Sequence, residues 1–147
     1  MEMTGNRTIA APRERVWAAL NDPAVLKECI PGCEEMTGSS EEGFEATVKQ
    51  KVGPVKATFK GAVSVRDVVA PESYRIEGEG KGGVAGFAKG GADVRLAEVP
   101  EGTELTYAVD AKVGGKIAQL GGRVVDSVAA KFADDFFERF KAKVEAG

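Results

Sequence analysis

Histidine is absent from this chain of 147 residues, and the only thiols are those of Cys29 and Cys33. The absence of imidazole excludes the commonest general base near neutral pH and every histidine-dependent catalytic triad. Two cysteines without histidine are also a poor ligand set for zinc, so we predict no metal site and no resident cofactor. In a reducing compartment we expect both cysteines to be free, partly buried thiols.

Long apolar runs and an excess of positive charge are missing as well. No uncharged apolar stretch of about 18 residues occurs, and residues 1–4 lack the basic-then-apolar order of a signal peptide. The net charge of -3 argues against nucleic acid as a partner. We therefore expect a cytoplasmic protein, at most peripheral to the inner face of the cell membrane. The length fits one domain, residues 1–147.

The spacing of apolar residues predicts the order of the elements. A strand over residues 3–9 is followed by one short helix that opens at Pro12 and a second that opens at Asp22-Pro23. From Glu34 to Val113 apolar and polar residues alternate between turns rich in glycine and proline, which is typical of an antiparallel meander. From Gly115 to Ala146 apolar residues recur every three or four positions, which predicts one long amphipathic helix.

Together these elements predict an α+β fold of the helix-grip type. In that arrangement a curved antiparallel sheet of six or seven strands wraps around the long C-terminal helix, and the two short helices follow the first strand. Four of the seven phenylalanines fall in the second half of this helix, which we expect to be structural: Phe132, Phe136, Phe137 and Phe140.

The inward-facing strand positions are apolar and unusually small. Gly61, Gly78, Gly80 and several alanines dilute the larger aliphatic residues, and almost no ionisable side chain points inward. Small inward residues either permit tight curvature or leave unfilled space. The second interpretation predicts an apolar cavity suited to an apolar ligand.

The expected cavity has a lining and a mouth. We expect Phe59 and Tyr107 from the strands, with Ile117, Leu120 and Val124 from the first half of the helix, to line it. Phe87, on a glycine-rich hairpin over residues 82–91, would lie at its mouth. Glycine pairs at 114–115 and 121–122 weaken that half of the helix, which predicts a gate beside the mouth.

Three other patterns have plainer interpretations. Residues 78–83 satisfy G-x-G-x-x-G, but they alternate as a strand and no helix opens there, so they are not a dinucleotide fingerprint. Lys49, Lys51, Lys56 and Lys60 share an outward face, which is either a solvated surface or one that attracts an anionic membrane or an acidic partner. Nearly every carboxylate falls at an outward or turn position, so we predict no catalytic residues.

Five runs of residues resemble the carbon monoxide dehydrogenase G-subunit family, within the START-like superfamily of lipid-transfer and polyketide-cyclase domains. They cover nearly the whole chain and are residues 11–17, 29–34, 52–56, 86–92 and 113–116. The resemblance implies an accessory protein of molybdenum hydroxylases of the carbon monoxide dehydrogenase type, associated with their recruitment to the membrane. The apolar C-terminal extension of some members has no counterpart before Gly147.

Three hypotheses follow. In the first, the protein binds a lipid- or quinone-like molecule and supports membrane recruitment or electron transfer of the hydroxylase. In the second, it is an assembly factor that acts through surface contacts. In the third, it is an enzyme of the cyclase or aromatase kind, for which Tyr107 or Gln50 would have to supply the polar group inside the cavity.

Overall fold

Seven strands, each antiparallel to its neighbours, form one sheet in the computed structural model, which describes all residues from 1 to 147. The strands are β1 Glu2–Ile9, β2 Cys33–Ser39, β3 Gly43–Val52, β4 Val55–Val69, β5 Ser73–Lys81, β6 Phe87–Val99 and β7 Gly102–Gly114. Their order across the sheet is β1-β7-β6-β5-β4-β3-β2. Strands β2 to β7 lie beside their neighbours in sequence, whereas β1 lies at the edge opposite β2 and pairs with β7. The predicted meander is confirmed.

Four α-helices complete the fold: α1 Arg13–Leu20, α2 Pro23–Cys29, α3 Lys116–Gln119 and α4 Gly122–Ala146. The long helix α4, about 38 Å at 1.5 Å per residue, contacts β1 at one edge of the sheet and β3 next to the other edge. The sheet therefore curves around it, as the helix-grip architecture requires. None of the helices combines the length and apolar composition that a membrane crossing needs.

Local chemistry fixes the two short helices. Pro12 has an extended conformation and occupies the N-cap position of α1. Its missing N–H costs no helical hydrogen bond there, because an N-cap residue donates none within the helix. Asp22 caps α2, because its carboxylate accepts a hydrogen bond of 2.9 Å from the backbone of Ala24. Pro23 then occupies the first helical position, for which its fixed φ is suited.

The densest packing lies where α1, α2 and the end of α4 meet the sheet. Phe140 and Ile9 have no exposed surface, and Thr103 is also fully buried with its hydroxyl donating to the carbonyl of Ala11 at 2.7 Å. The continuous core consists of Ile9, Ala11, Val16, Leu20, Cys29, Tyr74, Val94, Leu96, Leu105, Phe140 and Val144. Trp17 packs edge-on against Tyr74 beside this core, with ring centroids 5.2 Å apart.

The C-terminal helix is not continuous from Gly115, and that prediction is wrong. The chain turns through Leu120 and Gly121 between α3 and α4, and Gly121 has a φ of +94° and a ψ of 154°. A residue with a side chain avoids this region of backbone conformation, so helix formation stops here and begins again. The apolar spacing continues through the break, which is why periodicity alone did not reveal it.

The predicted glycine-rich hairpin is also shorter than expected. Strand β6 begins at Phe87, and only residues 82–86, which include a 3₁₀ turn over Gly83–Ala85, connect it to β5. Gly90 belongs to the strand, where a β-carbon would collide with the backbone of Asp110. Residues 78–81 lie in β5 and no α-helix follows before β6, as the alternation predicted.

Both cysteines are unpaired, as expected. Cys29 is buried in the core and Cys33 is half-buried at the start of β2. Burial raises the pKa of both thiols, and for Cys33 a hydrogen bond with the backbone of Glu35 opposes this shift. Both side chains are therefore neutral near pH 7.

Candidate functional site

Three segments converge at the end of the sheet away from the core: the β3–β4 turn, the 3₁₀ turn and the start of the C-terminal helices. Leu120 and Val124 cover Gly53 in the β3–β4 turn, since a β-carbon there would lie 3.4 Å from Leu120 Cδ1 and 3.6 Å from Val124 Cγ1. The ring of Phe59 in β4 covers Gly82, where a β-carbon would collide with it.

Ile117 belongs to the same end of the molecule. Its side chain is buried, and α3 packs against both β7 and the 3₁₀ turn. The backbones of Gly86 and Gly115 approach so closely that a β-carbon on either would collide with the other segment. The structure thus brings four of the six predicted site residues into the packing between these segments: Phe59, Ile117, Leu120 and Val124.

The inner face of the sheet at this end is apolar but loosely covered. Val48, Val63, Val109 and Val113 have inward positions, yet each is only half-buried, and Val128 on α4 is half-buried too. Inward positions of β6 and β7 nearer the core, such as Leu96 and Leu105, are buried. Val52 at the β3–β4 turn and Phe44 opposite Val63 are buried, so the aliphatic surface that α4 does not fully cover is confined to the four valines of the strands.

Tyr107 lies elsewhere along the inner face. Its ring stacks on Phe137 with centroids 5.2 Å apart, and its hydroxyl accepts a hydrogen bond of 3.4 Å from Arg7. Thirteen residues of α4 separate Phe137 from Val124, which corresponds to about 20 Å along the helix axis. Tyr107 is thus not grouped with Leu120 and Val124.

Arg7 organises the surroundings of Tyr107. Its guanidinium also donates a hydrogen bond of 2.7 Å to Asp134 and lies 5.1 Å from the centroid of the Phe137 ring. The hydrogen bond to Tyr107, followed by that to Asp134, raises the pKa of Arg7 above its already high value. Sequence reasoning did not reveal this cluster, because Arg7, Tyr107 and the α4 pair Asp134 and Phe137 are far apart in the chain.

Phe87 lies on the outer face of the sheet. It alternates with Ala88, which faces inward, and its register partners are Lys81 and Gly114. Its ring covers Gly114 on the outer surface, and 44% of the residue is exposed. Phe87 is therefore not part of the inner lining, and the expected position at the cavity mouth is corrected to an outer position at the same end.

Gln50, the other polar residue predicted to face inward, has a structural partner. Its side-chain amide donates a hydrogen bond of 2.6 Å to the carbonyl of Pro31. The backbone of Lys49 donates to the carbonyl of Gly32, 2.9 Å away, at the same place. These bonds fasten the connection between α2 and β2 onto β3.

The outer face carries an open trough of about 790 Å³ with a mostly polar and charged lining. At its side, Arg75 reaches across Gly91 to Asp110 at 3.0 Å and also pairs with Asp93 at 3.2 Å and Glu77 at 3.4 Å. The hydrogen bond to Asp110, followed by that to Asp93, raises the pKa of Arg75. Matched charges of this kind suit water and ions better than an apolar ligand.

The sequence matches, over residues 5–145, the family model described as the carbon monoxide dehydrogenase G subunit (CoxG). The chain belongs to this family. The CoxG family model thus spans every element from β1 to α4, including both ends of the sheet. No curated protein matches the sequence significantly.

Solved structures share the CoxG fold seen here. A conserved protein from Geobacillus kaustophilus is 30% identical, with a TM-score of 0.91 over 98% of this chain and 95% of that chain. A protein from Chromobacterium violaceum is 17% identical, with a TM-score of 0.72 over 98% and 97% of the two chains. A protein from Thermus thermophilus is 16% identical, with a TM-score of 0.72 over 99% and 98%. The last two show the fold alone.

Proposed function

We propose that this protein is a non-catalytic accessory protein of a molybdenum hydroxylase of the carbon monoxide dehydrogenase type, and that it holds an apolar molecule against the inner face of its sheet. Membership of the CoxG family supports the association with a carbon monoxide dehydrogenase system. The observation that supports the binding of an apolar ligand is the half-buried aliphatic surface formed by Val48, Val63, Val109 and Val113. An apolar molecule that covers this surface removes apolar area from water, and this burial lowers the free energy of the complex.

The ligand would lie at the end that holds Phe59, Leu120 and Val124, where Ile117 is buried. Charged groups are scarce on this inner surface, so the ligand class is lipid-like or quinone-like. A quinone suits the partner chemically, because a hydroxylase that oxidises its substrate must pass electrons to an acceptor. Its isoprenoid tail suits an aliphatic surface. Molecules of this class reside in bilayers, so the same function includes recruitment of the hydroxylase to a membrane.

Two observations support a binding role over catalysis of the cyclase kind. The amide of Gln50 is engaged with Pro31, and the hydroxyl of Tyr107 is engaged with Arg7 about 20 Å along α4 from Val124. Neither polar group stands free beside Phe59 and Leu120, where a substrate would have to react.

The proposal is tested by ligand retention. Native mass spectrometry of the purified protein, before and after addition of decylubiquinone, should detect a bound apolar molecule that solvent extraction removes. Leu120→Trp places an indole over the proposed site and should lower occupancy at least tenfold. Gln119→Trp is the matched control, because Gln119 is exposed on the neighbouring position and should keep full occupancy. Absence of any retained or added ligand in the wild type contradicts the proposal, as does equal occupancy in both variants.

A further inference from the structure

Positive charge is concentrated where the three segments of the candidate site converge. Residues 51–56, 81–89 and 112–123 contain no Asp or Glu, but they contain seven basic residues: Lys51, Lys56, Lys81, Lys89, Lys112, Lys116 and Arg123. Since the chain has 20 basic and 23 acidic residues, the remainder carries 13 and 23. A net charge of -3 thus divides into a strongly positive end, here named the basic end, and a strongly negative body.

Strand register places these lysines against one another. Lys51 lies directly opposite Lys56, Lys89 lies opposite Lys112, and Lys81 lies opposite Lys60. Like charges at directly opposed positions of an antiparallel pair are destabilising. Glu79, which lies opposite Lys89, is the one carboxylate in register with these lysines. A local rule broken repeatedly in one region is typical of a functional surface.

Little in the fold neutralises this charge. Of the seven basic residues only Lys81 forms an ion pair, with Glu79 at 3.5 Å. The opposed pair Arg66 and Arg75, farther along β4 and β5, differs sharply, because Glu77 bridges both and Asp93 and Asp110 hold Arg75. Six of the seven basic side chains are therefore available to anions outside the molecule.

Exposed apolar side chains lie within the same surface. Val84, in the 3₁₀ turn between Lys81 and Lys89, is 84% exposed, and Phe87 is 44% exposed. Valine and phenylalanine surrounded by lysines are typical of surfaces that lie at a lipid interface, where the apolar groups enter the boundary and the ammonium groups contact head-groups. A nucleic acid would account for the lysines but would leave Val84 without an apolar partner, and an acidic protein partner is an outcome of the test below.

We propose that the basic end docks on the surface of an anionic bilayer, with Val84 and Phe87 entering the head-group boundary. The negative body orients the protein, since an anionic surface repels it while attracting the basic end. The inference rests on the proposed function in one respect. The docked end is the one that holds Phe59, Leu120 and Val124, so an apolar ligand would pass between bilayer and inner face without entering bulk water.

The experiment is vesicle flotation with phosphatidylcholine alone and with phosphatidylcholine containing phosphatidylglycerol. We expect the wild type to float with the anionic vesicles only and to be released as added salt screens the attraction. The triple variant Lys51→Glu, Lys56→Glu, Lys116→Glu should lose binding at least tenfold. Val84→Asp should lose binding several-fold while leaving the lysines in place.

The matched control reverses three exposed charges on the negative body: Lys27→Glu, Arg139→Glu and Lys141→Glu. It changes the net charge equally and should keep most of the binding. Equal loss in both triple variants, unchanged binding after Val84→Asp, or binding to an acidic polymer but not to vesicles would overturn the docking proposal. Native mass spectrometry of the Lys51/Lys56/Lys116 variant separates the two proposals, because the ligand should remain bound when docking is lost.

Discussion

The two halves of α4 face very different surroundings. The C-terminal half lies in the core, where Phe140 has no exposed surface and Val144 retains only 4%. Phe136 stacks on Phe140 and meets Phe137 edge-on, so aromatic contacts add to the burial. The helices α1 and α2 also pack at this end, so the core there is formed jointly by the sheet and three helices.

The N-terminal half of α4 has no second layer above it. Val124, Val125 and Val128 are half-buried, and α3 is a single turn separated from α4 by Gly121. The strands opposite carry aliphatic side chains that this half does not fully cover. Packing is therefore densest at one end of the molecule, and the proposed ligand site lies at the more loosely packed end, as is common for ligand-binding regions.

The largest expected effect on the free energy of unfolding comes from making the same leucine-to-alanine substitution in each of the two regions. Leu105 is 1% exposed in the core, whereas Leu120 is half-buried over Gly53. Leu105→Ala should lower the free energy of unfolding by about 3 kcal/mol or more, because it leaves a cavity in rigid surroundings. Leu120→Ala should cost no more than about 1 kcal/mol, because the leucine is only partly removed from water.

Urea unfolding followed by the fluorescence of Trp17 measures both values, since Trp17 adjoins the core. Similar losses for Leu105→Ala and Leu120→Ala would mean that the two ends are packed alike. In that case the open inner face would not be a property of the folded protein.

A smaller effect concerns the break between α3 and α4. Gly121→Ala forces a side chain into a conformation at φ +94° that only glycine adopts readily, so it should destabilise the fold by about 1–3 kcal/mol. Gly122→Ala, one residue later, lies in the first turn of α4 with nothing within 4 Å of the new methyl group. It should stabilise the fold by up to about 1 kcal/mol.

This pair also corrects an expectation drawn from periodicity. In a continuous helix both alanines would stabilise the protein, and that outcome in urea unfolding would show that the break at Gly121 is absent in solution. Opposite signs for the two variants would fix the position of the break to one residue.

Much of the fold was predictable because its signals are local. Alternation marked the strands, and Pro12 and Asp22 marked the starts of the short helices. Periodicity did not reveal the helix break, because Ile117, Leu120 and Val124 keep a helical spacing across it. The glycine pair at 121–122 was the sequence signal, but it was interpreted as a weak point within a continuous helix.

The candidate site was predictable in part for a similar reason. The alternation of inward and outward residues along each strand correctly assigned Phe59 and Tyr107 to inward positions. It does not show how far along α4 each one lies. Phe87 was misplaced because it was assigned to a loop, whereas it is the first residue of β6. The opposed lysines Lys51 and Lys56 follow from the short turn at Gly53-Pro54, since turn length sets the register of a hairpin.

The smallest expected effect lies at Arg7, which fastens the edge strand β1 to the C-terminal half of α4. Asp134 is 67% exposed, so its ion pair with Arg7 is a surface pair and Asp134→Asn should cost less than about 0.5 kcal/mol. Arg7→Met also removes the hydrogen bond to Tyr107 and the contact with the Phe137 ring, and should cost about 1 kcal/mol.

Urea unfolding at low and high salt distinguishes the contributions at Arg7. Added salt should shrink the effect of Asp134→Asn, because it screens the exposed pair, and should leave most of the effect of Arg7→Met. Equal and equally salt-sensitive losses would assign the whole contribution to the ion pair. The contribution of Arg7 would then be electrostatic alone, and the buried side chain of Ile9 would remain the apolar contact between β1 and the core.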